Sequence, residues 1–281
     1  MNSLTDKNTP FPIRPNSASN GVGGADPWAE LQKYTSARIA IGRSGGSQRT
    51  PSILDFRLSH ARAKDAVNAP FKVDELAAEF AARGFEFEKL TTKIFDKASY
   101  LMHPDLGRVL SEESSKKLEE LSKKWGRRDF AIVVSDGLSA NAAMRHSLAV
   151  IEPLCEYLKG AGWSVYPILF VPYARVKVQD YIGEILGARH SIIFLGERPG
   201  LGTPDSLSAY FTFKPNAGAV ESDRNCISNI RPEGMPPLAA ARKLALLLEQ
   251  SRKLGIGGIS LKDNISDTSL TDENFLRALR A

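Results

Sequence analysis

"SVYPILFVPYARVKVQDYIGEILGARHSIIFLGERPG", residues 164–200, changes rhythm twice. A short apolar run, "SVYPILFVPYA", reads as a strand, "VQDYIGEILGA" as a helix, and "SIIFLGE" as a strand again. Strands that are apolar throughout belong to a sheet covered on both faces, and a helix between two of them is the crossover of a parallel pair. Upstream, "SEESSKKLEELSKKW" (111–125) has a Ser111 cap, Glu112 and Glu113 at the positive dipole end, Lys123 and Lys124 at the negative end, and Gly126 as its stop. "DFAIVVSDG" then makes a strand and "SANAAMRHSLAVIEPLCEYLKGAG" a helix; downstream, "PPLAAARKLALLLEQSRKLG" is a further helix. The fold class expected is α/β, a Rossmann-like, mostly parallel sheet preceded by a small helical N-terminal region.

In such a sheet ligands bind outside the carboxyl ends of the strands. Three strands end in chemistry: Ser135-Asp136-Gly137, Tyr173-Ala174-Arg175-Val176 and Gly196-Glu197-Arg198. A parallel arrangement puts all three on one rim. The boundaries expected are a disordered tail over 1–26, a mostly helical region over 27–110, the sheet domain over 111–263, and an extension with a short helix over 264–281. In the second of these, "SILDFRLSHARAKDAV" aligns Ile53, Leu54, Leu58 and Ala61 on one helical face, and "VDELAAEFAARGF" is a helix that Gly84 stops. "ESDRNCISNIRPEG" (221–234) reads as a long polar connection before the last helix, the kind of ordered loop that carries binding groups.

Several function classes drop out. The net charge of +5 is spread along the chain without interleaved aromatics, so no nucleic-acid surface is read. Cys155 and Cys226 make neither a disulfide framework nor a metal-ligand spacing. No run approaches the roughly 20 apolar residues of a membrane span. The glycines at 196, 200 and 202 match neither a P-loop nor G-x-G-x-x-G, which weakens a nucleotide-dependent oxidoreductase. Ser135 or Ser139 with His146 and Asp136 lacks the G-x-S-x-G elbow of a hydrolase. Cys226 is either a small pocket-lining residue or a thiol activated by Arg224.

"SDGLSA", "RVKVQDYIGEILGA" (Ala174 standing where a glycine is usual), "GERPGLGTPDSL" and "DRNCISNIRPEG" resemble the signature segments of the ethanolamine ammonia-lyase small (light) subunit. "ARIAIGRSGG", "LDFRLSHARAKDAV" and "HPDLGRVL" resemble that family's N-terminal region. The resemblance implies a lyase converting ethanolamine to acetaldehyde and ammonia with adenosylcobalamin. It implies a large catalytic subunit as partner and cobalamin at the interface, contacted by Val176, Glu197 and Cys226. No catalytic residue and no metal ligand falls on this chain. With no D-x-H-x-x-G stretch to supply a histidine to cobalt, the cofactor is expected to keep its own benzimidazole. A cytoplasmic location is expected, with packaging in a bacterial microcompartment left open. The alternative is a scaffold or assembly protein using the same surface for protein contact only.

Overall fold

The computed structural model describes residues 28–266 except 36, 40, 42 and 45, together with 270, 271 and 275. The chain divides into two compact units, one ending at Leu58 and the other starting at Ser59. In the first, a 3-10 helix (Ala29–Tyr34) precedes a small hairpin, β1 (Arg43–Ser44) and β2 (Ser47–Gln48). Helix α1 (Thr50–Asn68) begins here, and Arg38 reaches Asp55 at 2.7 Å. The apolar stripe of α1 departs from expectation. Leu54 and Leu58 are 58% and 50% exposed. Helical periodicity says which residues share a face, not that the chain itself will cover it.

The second unit contains α2 (Val73–Ala82), β3 (Phe87–Lys89), α3 (Lys97–Met102), α4 (Glu112–Trp125), β4 (Phe130–Ser135), α5 (Ala140–Gly160) and β5 (Ile168–Phe170). Then come α6 (Val178–Leu186), β6 (His190–Gly196), β7 (Leu207–Phe213), β8 (Arg224–Ile230) and α7 (Pro237–Leu254). Gly84 ends α2 with φ 79°, and the Ser111 hydroxyl accepts from the Ser114 N–H at the start of α4, as read from sequence. The expected α/β class with a mostly parallel sheet is observed. Six strands lie in the order β3-β5-β4-β6-β7-β8; the first four are parallel, and β7 and β8 are antiparallel additions.

Alternation sends Ile132, Val134, Ile192 and Phe194 to one face, packed with residues of α2, α5 and α7. Ala131, Val133, Ile193 and Leu195 go to the other, against Leu118 of α4 and Val178, Ile182 and Leu186 of α6. Both faces of β4 and β6 are therefore buried, which is why residues 130–134 and 192–195 are apolar without a break.

Among the strands that escaped the sequence reading, two are instructive. β3 has only three residues, yet it pairs in parallel with β5 at the sheet edge. β8 corrects the reading of 221–234 as a connection. Its Ile227 lies opposite Ala209 and its Ile230 opposite Leu207, so three residues of β8 span two of β7. This bulge spaces the buried isoleucines by three and hides the period of two. Beneath β8, Arg224 donates to Asp180 of α6 from Nη2 at 2.6 Å and Nε at 3.1 Å, and Thr212 of β7 donates to the other carboxylate oxygen at 2.8 Å.

The tail expected over 1–26 lies outside the described residues, as does most of the expected C-terminal helix. Within that segment Phe275 is buried, its ring centroid 4.5 Å from that of Tyr157.

His190, at the start of β6, is fully buried against Trp163 and Phe213, with Nε2 2.9 Å from Ser251 Oγ. Burial first, then the Arg189 charge, pulls its pKa from 6.5 to about 3. A base with a depressed folded pKa leaves the unfolded state to bind the proton, so stability is complete above pH 6.5 and declines as pH falls towards 3. His190→Gln is expected to flatten that acid limb, measured as urea midpoints across the window. An unchanged limb assigns it to other groups.

Candidate functional site

The loops after β4, β5 and β6 meet on one rim. Tyr173 N–H donates to Asp136 Oδ1 at 2.7 Å and Ala174 N–H to Ser135 Oγ at 3.0 Å, tying the β5 loop to the β4 loop. Lys97 of α3 caps the junction, 3.5 Å from Asp136 and 3.0 Å from Gly137 O. Burial pushes the Asp136 carboxyl up against the pull of Lys97, and burial pushes the Lys97 amine down against the pull of Asp136. Leu138 N–H bonds Gly196 O at 2.9 Å, joining the β4 loop to the β6 exit. There two backbones nearly touch. Gly137 has φ 56°, and a Cβ on Gly196 would lie 2.0 Å from Ser139 O.

These contacts dispose of the hydrolase constellation. Ser135 and Asp136 are buried loop anchors, Ser139 donates to Pro204 O at 2.8 Å, and His146 sits 3.9 Å from Asp205 rather than beside a serine. The alanine at 174 is accommodated because the left-handed residue is its neighbour Tyr173, at φ 57°. In the opening loop of the β6–β7 hairpin, Gly200 closes a turn with Thr203, while a Cβ on Gly202 would meet nothing. Arg145 holds the hairpin through Asp205 at 2.6 Å.

Beyond β6 the second face of the sheet opens. The core packed under α4 and α6 runs out at Tyr210 and Val176, which are half-buried, and Cys226 is exposed. Glu197, half-buried at the β6 exit, accepts through Oε1 from the Ser208 hydroxyl and from the Asn229 N–H, the latter at 2.8 Å. Tyr210 lies directly across from Cys226 in the β7–β8 pairing, so the two side chains share a face. Burial, then the neighbouring thiol, pushes the Tyr210 phenol up to about 12. The Cys226 thiol is itself pushed up, first by desolvation of its sulfur and further by the Glu197 carboxylate, although the residue as a whole is exposed. The activated-thiol alternative thereby falls, since Arg224 is committed to Asp180.

Of the three expected contact residues, Glu197 is held by Ser208, and Cys226 lies across from Tyr210, two positions along β7 from Ser208. Val176 packs on the same core as Tyr210, its carbonyl accepting from Gln179 N–H at 3.3 Å as α6 begins. Ser208, Tyr210 and Asn229 were missed. The alternation in "LSAYFTF" puts Ser208 and Tyr210 on one face, but only the pairing with β6 and β8 puts that face beside Glu197. The arrangement is a partly open shelf, with Tyr210 half-buried, Cys226 exposed and the Glu197 carboxylate held at one end by Ser208. Among the described residues no cluster of His, Cys, Asp and Glu could hold a metal ion, and no helix is long and apolar enough to cross a membrane.

Comparison with known proteins agrees with the motifs. The family model for the ethanolamine ammonia-lyase light chain matches residues 25–262. The ethanolamine ammonia-lyase small subunit of Azotobacter vinelandii is 46% identical over 239 residues, covering 85% of this chain and 88% of the relative. That of Pseudomonas syringae pv. tomato is 43% identical over 260 residues, covering 92% and 91%. A match of this extent and identity leaves one assignment: the chain belongs to the ethanolamine ammonia-lyase light-chain family, the small subunits of a lyase.

Proposed function

We propose that this chain is the small subunit of an adenosylcobalamin-dependent enzyme converting ethanolamine to acetaldehyde and ammonia. Its part is to hold one side of the cobalamin where it meets the large subunit. The observation that carries this is the open shelf at the strand-end rim, with Glu197 at its edge and Cys226 exposed beyond it. A corrinoid is broad and apolar across its face, with amide arms and a ribose at its periphery, and the donor set fits it. Glu197 accepts from amide N–H or hydroxyl groups, Val176 offers apolar contact, and Cys226 is small enough to permit close approach. When bound, the cofactor supplies the radical chemistry; this chain binds, orients and helps to exclude water. No side chain on the shelf is placed as an acid or base, and none is assigned a catalytic role.

Both cysteines are free thiols, which supports a reducing, cytoplasmic setting. Packaging in a microcompartment is a property of the assembled enzyme that the shelf neither requires nor forbids.

Titration of the reconstituted two-subunit complex with cobalamin, followed by visible absorbance, tests the site. Glu197→Ala removes a charged acceptor and strands its donors, a loss of about 1.5–3 kcal/mol, or roughly 10- to 100-fold in Kd. Cys226→Ala changes size and a weak donor, so its loss is expected to be smaller. Equal losses, or a larger one at Cys226, refute this division of roles.

A further inference from the structure

We propose that Ser208 and Asn229 are positioning residues for cobalamin recognition, acting through Glu197; this rests on the cobalamin reading of the shelf. The Ser208 hydroxyl and the Asn229 backbone N–H both donate to Glu197 Oε1. Among the described residues no hydrogen bond reaches Oε2. One carboxylate oxygen is thereby fixed from below and from the side, and the other is left as the acceptor presented to a ligand. A carboxylate on a flexible stem otherwise samples several rotamers, and ordering it on binding weakens affinity. Here it is ordered beforehand.

The two donors come from unusual local structure. Ser208 is a buried hydroxyl near the start of β7, opposite Leu195. Asn229 has φ 57°, an uncommon conformation for a residue with a side chain and one that asparagine tolerates better than most. The conformation is held from several sides. Met235 N–H bonds Asn229 O at 2.8 Å, and Arg231 Nε bonds Asn229 Oδ1 at 2.9 Å. Gly234 is required beside it, since a Cβ there would lie 2.4 Å from Asn229 O. Backbone held in a sparsely populated region by this many contacts points to a use for the resulting geometry. In this chain the use is a backbone N–H turned onto Glu197 at the end of an edge strand.

The test is a double-mutant cycle read as cobalamin affinity by visible absorbance in the assembled two-subunit complex. Ser208→Ala is expected to weaken binding about tenfold in the wild-type background, the loss of one hydrogen bond to a charged group. In a Glu197→Ala background the same change is expected to have almost no further effect, because the group it positions is gone. A merely structural serine would weaken binding equally in both backgrounds, and that result overturns the positioning role. Unchanged affinity for Ser208→Ala beside a clear loss for Glu197→Ala also overturns it, while leaving the cobalamin reading intact. Unchanged affinity for Glu197→Ala overturns both. For the second donor, Asn229→Gly keeps the backbone conformation accessible and is expected to retain affinity within about twofold, whereas Asn229→Val disfavours it and loses affinity. Equal losses in the two variants would assign the effect to the asparagine side chain and remove Asn229 from the proposal.

Discussion

Incubated alone with adenosylcobalamin and ethanolamine, the purified chain is expected to release no acetaldehyde, and addition of the large subunit is expected to bring turnover. The reason is geometric. The shelf is part of one face of a sheet, with Glu197 half-buried at its end and Cys226 exposed at its outer strand. A corrinoid laid there has its other face in water, and radical chemistry needs a site closed to solvent and side reactions. The second wall must come from a partner, which the family's division into subunits supplies. Binding is then expected to be coupled to assembly: the large subunit should raise the affinity of this chain for cobalamin, and cobalamin should tighten the subunits by the same factor. Titrating the free chain is expected to give weak visible-range binding or none. Turnover by the isolated chain would overturn the assignment of chemistry to the partner, and tight binding by it would remove the need for a second wall.

Arg224→Ala is expected to have the largest effect on the fold. Arg224 and Asp180 are both almost wholly withdrawn from solvent and meet at 2.6 Å. Burial already pushes the Asp180 carboxyl up in spite of the arginine beside it. Without that arginine the aspartate either stays charged in an apolar setting or takes up a proton, and breaking such a pair costs about 3–5 kcal/mol. Urea denaturation is the measurement. A loss below about 1 kcal/mol would mean that water reaches the carboxylate. Replacing both residues by leucine is expected to restore most of the loss, because desolvation of the pair cancels much of its attraction. Two residues along from Arg224 lies Cys226, so the single variant is also expected to loosen the shelf where β8 meets α6.

The central strands were legible because β4 and β6 are covered twice, which leaves unbroken apolar runs at 130–134 and 192–195. The rim was legible for the same reason, since parallel strands send their ends to one side. What lay beyond them was not. The bulge opposite Leu207 and Ala209 disguised β8, and the three residues of β3 were too few to form a pattern. The stripe on α1 was visible, but what covers Leu54 and Leu58 is not written in their spacing. At the site, Glu197 stood out as a charge at a strand exit, and its role came with the family motif. Its partners were hidden, because Ser208 and Asn229 are 11 and 32 positions away and only strand register brings them together. A residue's neighbours across a sheet are a property of pairing, not of the string that contains it.

The contact between Gly137 and Gly196 bears on motion. No side chain intervenes between these two backbones, so neither loop can move towards the other, and Leu138 N–H on Gly196 O keeps them from parting. The β5 loop is tied to the same point through Ser135 and Asp136. Three connections that would ordinarily fluctuate one by one are therefore geared together, and a displacement of any of them is carried to the base of Glu197. Tied in this way, the three loops are expected to move as one stiff body rather than one at a time.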